Sequence, residues 1–403
     1  MESCDVLVIG GGPAGLSLAA AVGSGVIVVH QDAEIGKPVR TSGGSWKRHI
    51  DALGIPSRLY QTIDRLRFAS TNEEFIFEAD REKAVVLDVT GTYQHLAEIA
   101  RQRGATIRCG HKFISIDRES PDQVISTVSD GNTRYLVRSK LVIDASGFWR
   151  AAMPLVDGIP AFERLGIGAE YELEDLSEDK HIATLFVGSR FTDPGYGWIF
   201  PTPAGTVRVG VGHCKPGNPH SPKLSLDRLM GSDLLDRYGV KTGRHVANHG
   251  GIIPNVGALQ VFGKGQIIGI GDVVGHALPL VGEGIRYCIE IGRYVGELVN
   301  QNLQGKRTTE SVIANYTAWW NKRWRRSFAW SQWLNERISQ YNDASWDRGL
   351  RRLGKLAPDD LARLLQAELS PGVVMRIALA NRDLPLKIAR AYFRRQPSTR
   401  HRA

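Results

Sequence analysis

Hydrophobic and polar residues at the start of the chain follow the pattern of a strand, a helix and a second strand. Residues 4–9 are a short apolar run of strand length, residues 14–22 carry no charge, and VIVV at 26–29 is a second strand-like run. GGGPAG stands between the first run and the helix. The pattern predicts a compact βαβ unit, which is typical of parallel α/β sheets.

The same two periods, two residues for strands and 3.6 for helices, organise the rest of the chain. Further strands are predicted at 65–70, 74–78, 141–147, several places within 166–213, and 265–272; helices are predicted at 92–104, 284–302 and throughout the residues after 308. The β-rich stretch stands between two α/β segments, so it reads as a sheet inserted into the first domain.

We therefore predict an α/β fold with three parts: a Rossmann-like domain, an inserted antiparallel β-sheet domain for the substrate, and a C-terminal helical region. The predicted boundaries are 1–60 with 84–160 and 262–302 for the discontinuous Rossmann-like domain, 61–83 with 161–261 for the inserted domain, 303–396 for the helical region and 397–403 for a disordered tail.

Composition narrows the class of protein. The chain has 403 residues, 42% hydrophobic and 23% charged, as in ordinary soluble globular proteins. Its four cysteines form no Cys-x-x-Cys pair and no zinc spacing, so we expect free thiols in a cytoplasmic compartment. The first residues include Glu2 and Asp5 but no basic residue, unlike a secretory signal. No uninterrupted apolar run of about 20 residues predicts a transmembrane helix.

The glycines of the first turn form the first motif that points to a ligand. Gly10, Gly12 and Gly15 form Gly-x-Gly-x-x-Gly between a predicted strand and a predicted helix. The first glycine permits the tight turn, the second lets the backbone approach a pyrophosphate, and the third lets helix and strand pack closely. The phosphates would lie at the helix N-terminus, where free N–H groups favour anions. The turn therefore predicts a dinucleotide site.

The residue that should bind the adenosine ribose departs from this pattern. An acid is expected at the end of the second strand, but that position is His30, followed by Gln31 and Asp32. A neutral imidazole can accept one hydrogen bond from a ribose hydroxyl. We predict that His30 lies near the ribose; the alternative is that Asp32 reaches back to it.

A second motif, residues 269–286, combines an isolated carboxylate with a glycine-rich turn. An apolar strand ends in Gly-Asp, and Pro279 and GEGI then lead into a helix. This is the second signature of FAD enzymes: Asp272 would accept a hydrogen bond from a ribityl hydroxyl, and Gly282 and Gly284 would let backbone approach the flavin ring. The helix starting near Gly284 would point its positive end at the flavin N1/C2=O edge.

Three motifs together resemble the geranylgeranyl reductase family, within the flavoproteins of the para-hydroxybenzoate hydroxylase fold. They are AEIGKPVR (33–40), PGYGWIFP (194–201), which contains the family's Tyr-x-Trp-x-Phe-Pro, and GDVVGHALPLVGEGI (271–285). The resemblance covers roughly residues 4–300. It implies one FAD, bound also by Ala14, Arg40, Thr41 and Ile285. It also implies an apolar, isoprenoid-like small-molecule substrate in a cavity lined by Tyr196, Trp198 and Phe200.

The resemblance implies hydride transfer from the reduced flavin to a C=C bond, with a proton supplied to the other carbon. Tyr196, His276 and Glu283 are the candidate proton donors. Electrons would come from NAD(P)H or from a reduced protein carrier, since a single complete glycine fingerprint opens a βαβ unit. The alternatives are a flavin-dependent monooxygenase and, on the sequence DASG (144–147), a halogenase relative, although the Trp-x-Trp-x-Ile-Pro expected of halogenases is missing.

Two cofactor-side positions besides His30 differ from the family. The family often has Arg-Cys-Gly in the loop after the second strand, and here RTSGG puts Thr41 at the position of the cysteine. The family's Arg-x-x-Phe-Asp near residue 92 is replaced by VTGTY (89–93). FAD binding is still expected.

The C-terminal quarter carries the positive charge of the chain. Residues 301–403 hold 20 Lys/Arg against 8 Asp/Glu, a net charge of +12, whereas the whole chain has +9. Five of the nine tryptophans lie in the basic aromatic segment, residues 316–333. Such a segment suits peripheral contact with an anionic membrane; the alternative is that Tyr316, Trp320 and Trp324 pack one helical face onto the FAD domain. No nucleic-acid-binding fold accompanies the charge, and the oligomeric state stays open.

Overall fold

The computed structural model describes residues 1–155, 159–192, 194–214 and 221–380. Its strands are numbered β1–β20 and its helices α1–α12 in chain order. The predicted tail at 397–403 and residues 381–396 of the predicted helical region lie outside the described residues.

A six-stranded sheet forms the centre of the Rossmann-like domain. Its strands are β2 (Val6–Ile9), β3 (Val26–His30), β9 (Thr106–Cys109), β13 (Leu141–Asp144), β19 (Gly263–Lys264) and β20 (Ile267–Gly269), in the order β19-β20-β13-β2-β3-β9. All neighbours are parallel except β19 and β20. β2 is wholly apolar and β13 is apolar up to Asp144 at its end, because central parallel strands are covered on both faces.

Three helices cover this sheet: α1 (Pro13–Val22), α3 (Val89–Gln102) and α7 (Ile285–Leu303). α1 and α7 approach closely because α7 has glycine at the contact: a Cβ on Gly292 would lie 2.3 Å from the Ala14 carbonyl oxygen. α3 begins three residues before its predicted start, because Asp88 caps it by accepting the Gly91 N–H at 2.9 Å.

A seven-stranded sheet is built from two separate stretches of sequence. Its strands are β6 (Arg65–Ala69), β7 (Glu74–Phe77), β14 (Leu165–Asp175), β15 (Ile182–Phe186), β16 (Gly195–Pro201), β17 (Thr206–His213) and β18 (Thr242–Pro254), in the order β18-β14-β17-β16-β15-β6-β7. The sheet is antiparallel except where β6 and β15 pair in parallel. These two strands meet through a long crossover rather than a hairpin, so the predicted antiparallel sheet contains one parallel pair.

Two smaller sheets and short helices complete the first two parts. The four-stranded sheet contains β1 (Glu2–Ser3), β10 (Lys112–Ser120), β11 (Gln123–Ser129) and β12 (Arg134–Ser139); the three-stranded sheet contains β4 (Gly44–Trp46), β5 (Tyr60–Ile63) and β8 (Ala84–Leu87). The short helices are α2 (Lys47–Ala52), α4 (Ser189–Thr192), α5 (Pro222–Met230) and α6 (Leu234–Arg237). The buried leucines of α5 and α6 pack with β17 in one hydrophobic cluster.

The C-terminal region is helical as far as the structure describes it. Its helices are α8 (Thr309–Arg323), α9 (Arg325–Ile338), α10 (Asp343–Leu353), α11 (Pro358–Leu365) and α12 (Pro371–Ala380). Tyr316, Trp320 and Trp324 are all buried, although the helix breaks at Trp324. Tyr316 and Trp320 pack on Phe262, with ring centroids 4.7 and 5.5 Å away. This face of the basic aromatic segment therefore packs onto the FAD domain, as the alternative reading had it.

None of the helices in the described ranges combines the length and the apolar character that crossing a bilayer requires.

Candidate functional site

Two adjoining cavities lie where the parallel strands end. The cofactor cavity, of about 810 Å³, is lined by the residues that follow β2, β3, β13 and β20. The apolar cavity, of about 320 Å³, lies between the β-sheets and the C-terminal helices. Thr41, Gly282, Gly284 and Ile285 line both cavities. A ligand in the first cavity can thus contact a ligand in the second.

The glycine turn has the geometry that its sequence predicts. Gly10 has φ of +108°, and a Cβ there would lie 2.3 Å from the Ala145 carbonyl oxygen. A Cβ on Gly15 would lie 2.3 Å from the Gly10 carbonyl oxygen, so strand and helix are in close contact. A Cβ on Gly12 would meet no protein atom within 4 Å, because Gly12 lies at the wall of the cofactor cavity beside Ala14. The turn leaves open the space that a pyrophosphate needs.

His30 lies on the cofactor cavity, but its hydrogen-bonding role differs from the predicted one. The Gly11 N–H donates to His30 Nδ1 at 3.2 Å, and burial lowers the pKa of the imidazole. The neutral ring therefore keeps its proton on Nε2, which is buried without a hydrogen-bond partner, 3.5 Å from Asp32. His30 can offer a ribose an N–H donor and not the acceptor that we expected, because Gly11 occupies its lone pair.

Arg40 and Asp32 form an ion pair on the same wall. Arg40 donates to both oxygens of Asp32, at 2.7 and 3.1 Å. Both residues line the cofactor cavity. The pair places one cation and one acceptor beside His30, at the end of the cavity where the sequence predicts the adenosine half of a dinucleotide.

Asp272 provides the test of whether the cavity fits FAD. Its Oδ1 is shielded from solvent and has no hydrogen-bond partner, and burial raises the pKa of the carboxyl group to about 6. Since a buried acceptor is normally paired, this oxygen fits a hydroxyl donor from a ligand. A Cβ on Gly284 would lie 3.4 Å from it, and α7 begins at the next residue, Ile285. The orphaned oxygen, the glycines and the helix N-terminus fit the ribityl chain and ring of FAD.

The raised pKa of Asp272 predicts that the free energy of unfolding of the protein without cofactor depends on pH. A carboxyl group whose pKa is raised from 3.8 to about 6 destabilises the fold above pH 6 and costs nothing below pH 4. In urea unfolding of the apoprotein, Asp272→Asn should be more stable than the parent by about 1–3 kcal/mol at pH 8, and the difference should shrink towards pH 4. An equal difference at both pH values would contradict this.

The apolar cavity has one wall of strands and one of helices. Its lining includes Ile63, Leu66, Phe68, Val86 and Leu185 from the strands and Trp330, Trp333, Leu334, Trp346, Leu350, Leu364 and Ile377 from the helices. Tyr196 and Phe200, two of the expected substrate-side residues, are also in this lining. Large apolar and aromatic walls suit an apolar substrate of small-molecule size.

Trp198 departs from its predicted role, because it lines neither of these two cavities. It lies between Tyr196 and Phe200 on one face of β16, and it covers β17 where a Cβ on Gly210 would be 2.3 Å from the indole. Its Nε1 donates to the buried Glu170 at 2.6 Å. Glycines in the neighbouring strand let the indole lie flat on the sheet, so it acts in the packing beneath the cavity.

His276 is also removed from the candidate proton donors. The imidazole is fully buried, stacked on Trp320 and edge-on to Phe262, and it lines neither the cofactor cavity nor the apolar cavity. Burial lowers its pKa to about 3. A neutral histidine inside an aromatic cluster lacks the acidic imidazolium proton at neutral pH.

Glu283 lines the apolar cavity, but its carboxylate oxygens are both engaged by neighbouring side chains. Its Oε1 accepts the Ser45 hydroxyl at 2.6 Å, and Arg286 Nε lies 3.0 Å from its Oε2. Burial by itself lowers the pKa of Arg286. The negative charge of Glu283, helped by a tyrosine and a second carboxylate nearby, outweighs this effect and raises the pKa above its ordinary value. The carboxylate of Glu283 therefore accepts from Ser45 and faces Arg286, an arrangement that orients the Ser45 hydroxyl.

Several wall residues were not foreseen from the sequence. Ser45 and Trp46 come from β4 and its end, and Trp330, Trp333 and Asn335 come from α9. The clustering of tryptophans was the sequence signal for α9, although it does not show which of them face a cavity. Nothing in the sequence marks Ser45.

The parallel sheet, the glycine turn and the orphaned carboxylate oxygen together define an FAD-dependent oxidoreductase.

Comparisons with known proteins agree with this class. A family model for the FAD binding domain matches residues 3–189. Digeranylgeranylglycerophospholipid reductase of Thermoplasma volcanium is 25% identical over 371 residues, which cover 86% of this chain and 91% of the relative. A reductase of the same name from Methanothermobacter thermautotrophicus is 26% identical over 363 residues, covering 87% and 91%. The chain is thus similar over most of its length to reductases of geranylgeranyl lipids, and it shares the FAD-binding fold.

Solved structures show how widely the fold is shared. A geranylgeranyl bacteriochlorophyll reductase-like protein from Thermoplasma acidophilum matches with a TM-score of 0.81 at 22% identity, over 94% of this chain and all of that one. A p-nitrophenol 4-monooxygenase from Pseudomonas putida matches with a TM-score of 0.65 at 20% identity, over 91% and 98%. A myxobacterial chondrochloren halogenase reaches 0.65 at 15% identity, over 94% and 97%. The fold serves several chemistries, so the site has to decide among them.

Proposed function

We propose that the protein reduces C=C bonds of an apolar, isoprenoid-type substrate. One observation carries this proposal: an apolar cavity walled by aromatic and aliphatic side chains adjoins the cofactor cavity at Thr41, Gly282, Gly284 and Ile285. FAD, when bound, supplies the hydride. The relatives named as lipid reductases support the same class of substrate.

The residues of this chain would bind the substrate, exclude water and supply the proton. Tyr196 is the candidate donor whose hydroxyl is protonated, because burial raises the pKa of the phenol above its ordinary value. Its hydroxyl rests on the Val281 carbonyl at 2.7 Å and can rotate towards a ligand in the apolar cavity. We assign proton donation to Tyr196. Glu283, paired with Arg286, holds the Ser45 hydroxyl at the same wall.

Single-turnover measurements under anaerobic conditions test the proposed function. FAD-loaded protein, reduced chemically, is mixed with a geranylgeranyl lipid, and flavin oxidation and product mass are followed. We expect reoxidation of the flavin with a product heavier by two hydrogens per double bond. A product that forms only in air and carries one added oxygen would identify a monooxygenase instead.

The electron donor is tested with the same protein. Either NAD(P)H docks transiently at the cofactor cavity or a reduced protein carrier supplies the electrons. Mixing oxidised holoprotein anaerobically with NADH, with NADPH and with a reduced iron–sulfur carrier, and following flavin bleaching, separates these routes.

Peripheral contact with an anionic membrane remains a proposal that rests on charge. Trp319 stacks on Tyr294 at 4.1 Å, and Trp320 and Trp324 are buried, so these tryptophans contribute little to such a surface. Arg323 pairs with Glu290 at 2.6 Å. Basic residues near an anionic surface contribute about 1 kcal/mol each, and salt screens them. The full chain should sediment with anionic liposomes at low salt and less with neutral ones.

Replacing Arg323, Arg325 and Arg326 with glutamine should reduce that sedimentation and leave the flavin spectrum unchanged. A parent protein that stays in the supernatant at low salt would remove the membrane proposal without affecting the reductase proposal.

A further inference from the structure

The loop at residues 278–284, which we call the glycine loop, is the segment that separates the two cavities. Its own backbone closes it: the Leu278 N–H donates to the Glu283 carbonyl and the Gly282 N–H donates to the Leu278 carbonyl, both at 2.8 Å. Gly282 has φ of +68°, a conformation that favours glycine. These bonds shape the loop, but they leave the polar groups of residues 279–281 facing outward.

Side chains from other elements form hydrogen bonds with these outward-facing polar groups. Ser331 Oγ accepts the Leu280 N–H at 2.8 Å, and Asn335 Nδ2 donates to the Pro279 carbonyl at 2.8 Å. Asn255 Nδ2 donates to the same carbonyl at 3.2 Å, and the Tyr196 hydroxyl donates to the Val281 carbonyl. Three consecutive residues of the loop are therefore held by hydrogen bonds from outside it.

Two of these side chains belong to α9 and are almost completely shielded from water. Ser331 is 0% exposed and Asn335 is 6% exposed. At such depth a removed partner leaves a polar group unpaired, which costs more than the loss of a surface hydrogen bond. Because positions 331 and 335 are one turn apart, both side chains lie on the same face of α9.

α9 also forms part of the wall of the apolar cavity, through Trp330, Trp333 and Leu334. One helix thus borders the substrate and holds the loop that faces the flavin. We infer that Ser331 and Asn335 are positioning residues, which fix the glycine loop so that Gly282 and Gly284 meet the flavin ring at the correct distance. The catalytic importance of this role rests on the proposed function. The physical test of the role requires only that the protein binds FAD.

The test removes each hydrogen bond with little change of shape. Ser331→Ala deletes the acceptor of the Leu280 N–H, and Asn335→Leu deletes the donor to the Pro279 carbonyl. Ser331→Thr keeps a hydroxyl at position 331. Glu336→Gln is the matched control, because Glu336 lies on the exposed side of the same helix and its side chain bonds only to Gln332 among the hydrogen bonds described. Each holoprotein is measured without substrate for its flavin absorption spectrum, its near-ultraviolet circular dichroism and its two-electron midpoint potential.

We expect Ser331→Ala and Asn335→Leu to bind FAD. In both variants, the preference of the protein for reduced over oxidised flavin should be about tenfold smaller than in the parent. For a two-electron couple, this lowers the midpoint potential by about 30 mV. The flavin band should shift in the same variants. In Ser331→Ala, whose residue does not line the apolar cavity, hydride transfer to the lipid should slow about tenfold with KM unchanged, because the displaced loop alters the position of the flavin against the substrate although the lower potential favours hydride donation. Ser331→Thr and Glu336→Gln should behave like the parent.

An unchanged potential and spectrum in both variants, with only a lower unfolding temperature, would overturn the inference, since the two residues would then be merely structural. If Asn335→Leu fails to fold, Ser331→Ala decides. If the parent reduces no isoprenoid, the proposed function fails, but the potentials measured without substrate still decide the role of α9.

Discussion

Replacing Gly12 with valine is expected to abolish FAD binding while the fold is retained. Gly12 has φ of −87° and ψ of 179°, an extended backbone that valine adopts readily. A Cβ there meets no protein atom within 4 Å, so the added side chain extends into the cofactor cavity, where the pyrophosphate approaches the turn. Titration of apoprotein with FAD should show at least about a 100-fold loss of affinity, or roughly 3 kcal/mol.

Gly231→Val is the matched control, because Gly231 also has negative φ and lies at the exposed end of α5, away from the cofactor cavity. It should bind FAD like the parent, and both variants should unfold in urea close to the parent apoprotein. If Gly12→Val binds FAD normally, the turn is not the pyrophosphate site.

Replacing Tyr196 with phenylalanine is expected to slow substrate reduction by roughly 100- to 10,000-fold, the usual effect of losing a general acid. The aromatic ring still fills the wall, so the KM for the lipid should change little. The loss of the bond to the Val281 carbonyl should weaken FAD binding by no more than about tenfold.

Cys214→Ala, on the wall of the same apolar cavity, controls for a change of cavity shape. The chemical reduction of the flavin should be unaffected in both variants, because it needs no proton donor in the apolar cavity. Full activity in Tyr196→Phe would mean that another group, such as a water held by Ser45 and Glu283, delivers the proton.

The parts of the fold that local patterns encode were predictable. The buried strands β2 and β13 are apolar except for Asp144 at the end of β13, because central parallel strands have no solvent face. The turn needs glycine at Gly10, whose φ is +108°, and at Gly15, where a Cβ would lie 2.3 Å from the Gly10 carbonyl oxygen. Asp272 was recognisable for the same kind of reason: an ionisable residue at the end of an apolar strand is costly unless a ligand uses it.

Side-chain roles that depend on distant partners were not predictable. The sequence places Tyr196, Trp198 and Phe200 on one face of a strand, but only the glycines of the neighbouring strand show that Trp198 lies down on the sheet. His276 stands beside the flavin motif in sequence, yet its ring turns into the cluster formed with Phe262 and Trp320. Glu283 becomes an ion-paired acceptor through Arg286 and Ser45.

The sequence by itself determined the class of protein, because a dinucleotide turn and a flavin strand end are short motifs whose chemistry depends on the spacing of neighbouring residues. Only the tertiary structure decided which side chains face the substrate, how the basic aromatic segment packs, and that α9 holds the glycine loop. Those outcomes depend on contacts between residues far apart in the chain, such as Leu280 with Ser331, and no local pattern specifies such a contact.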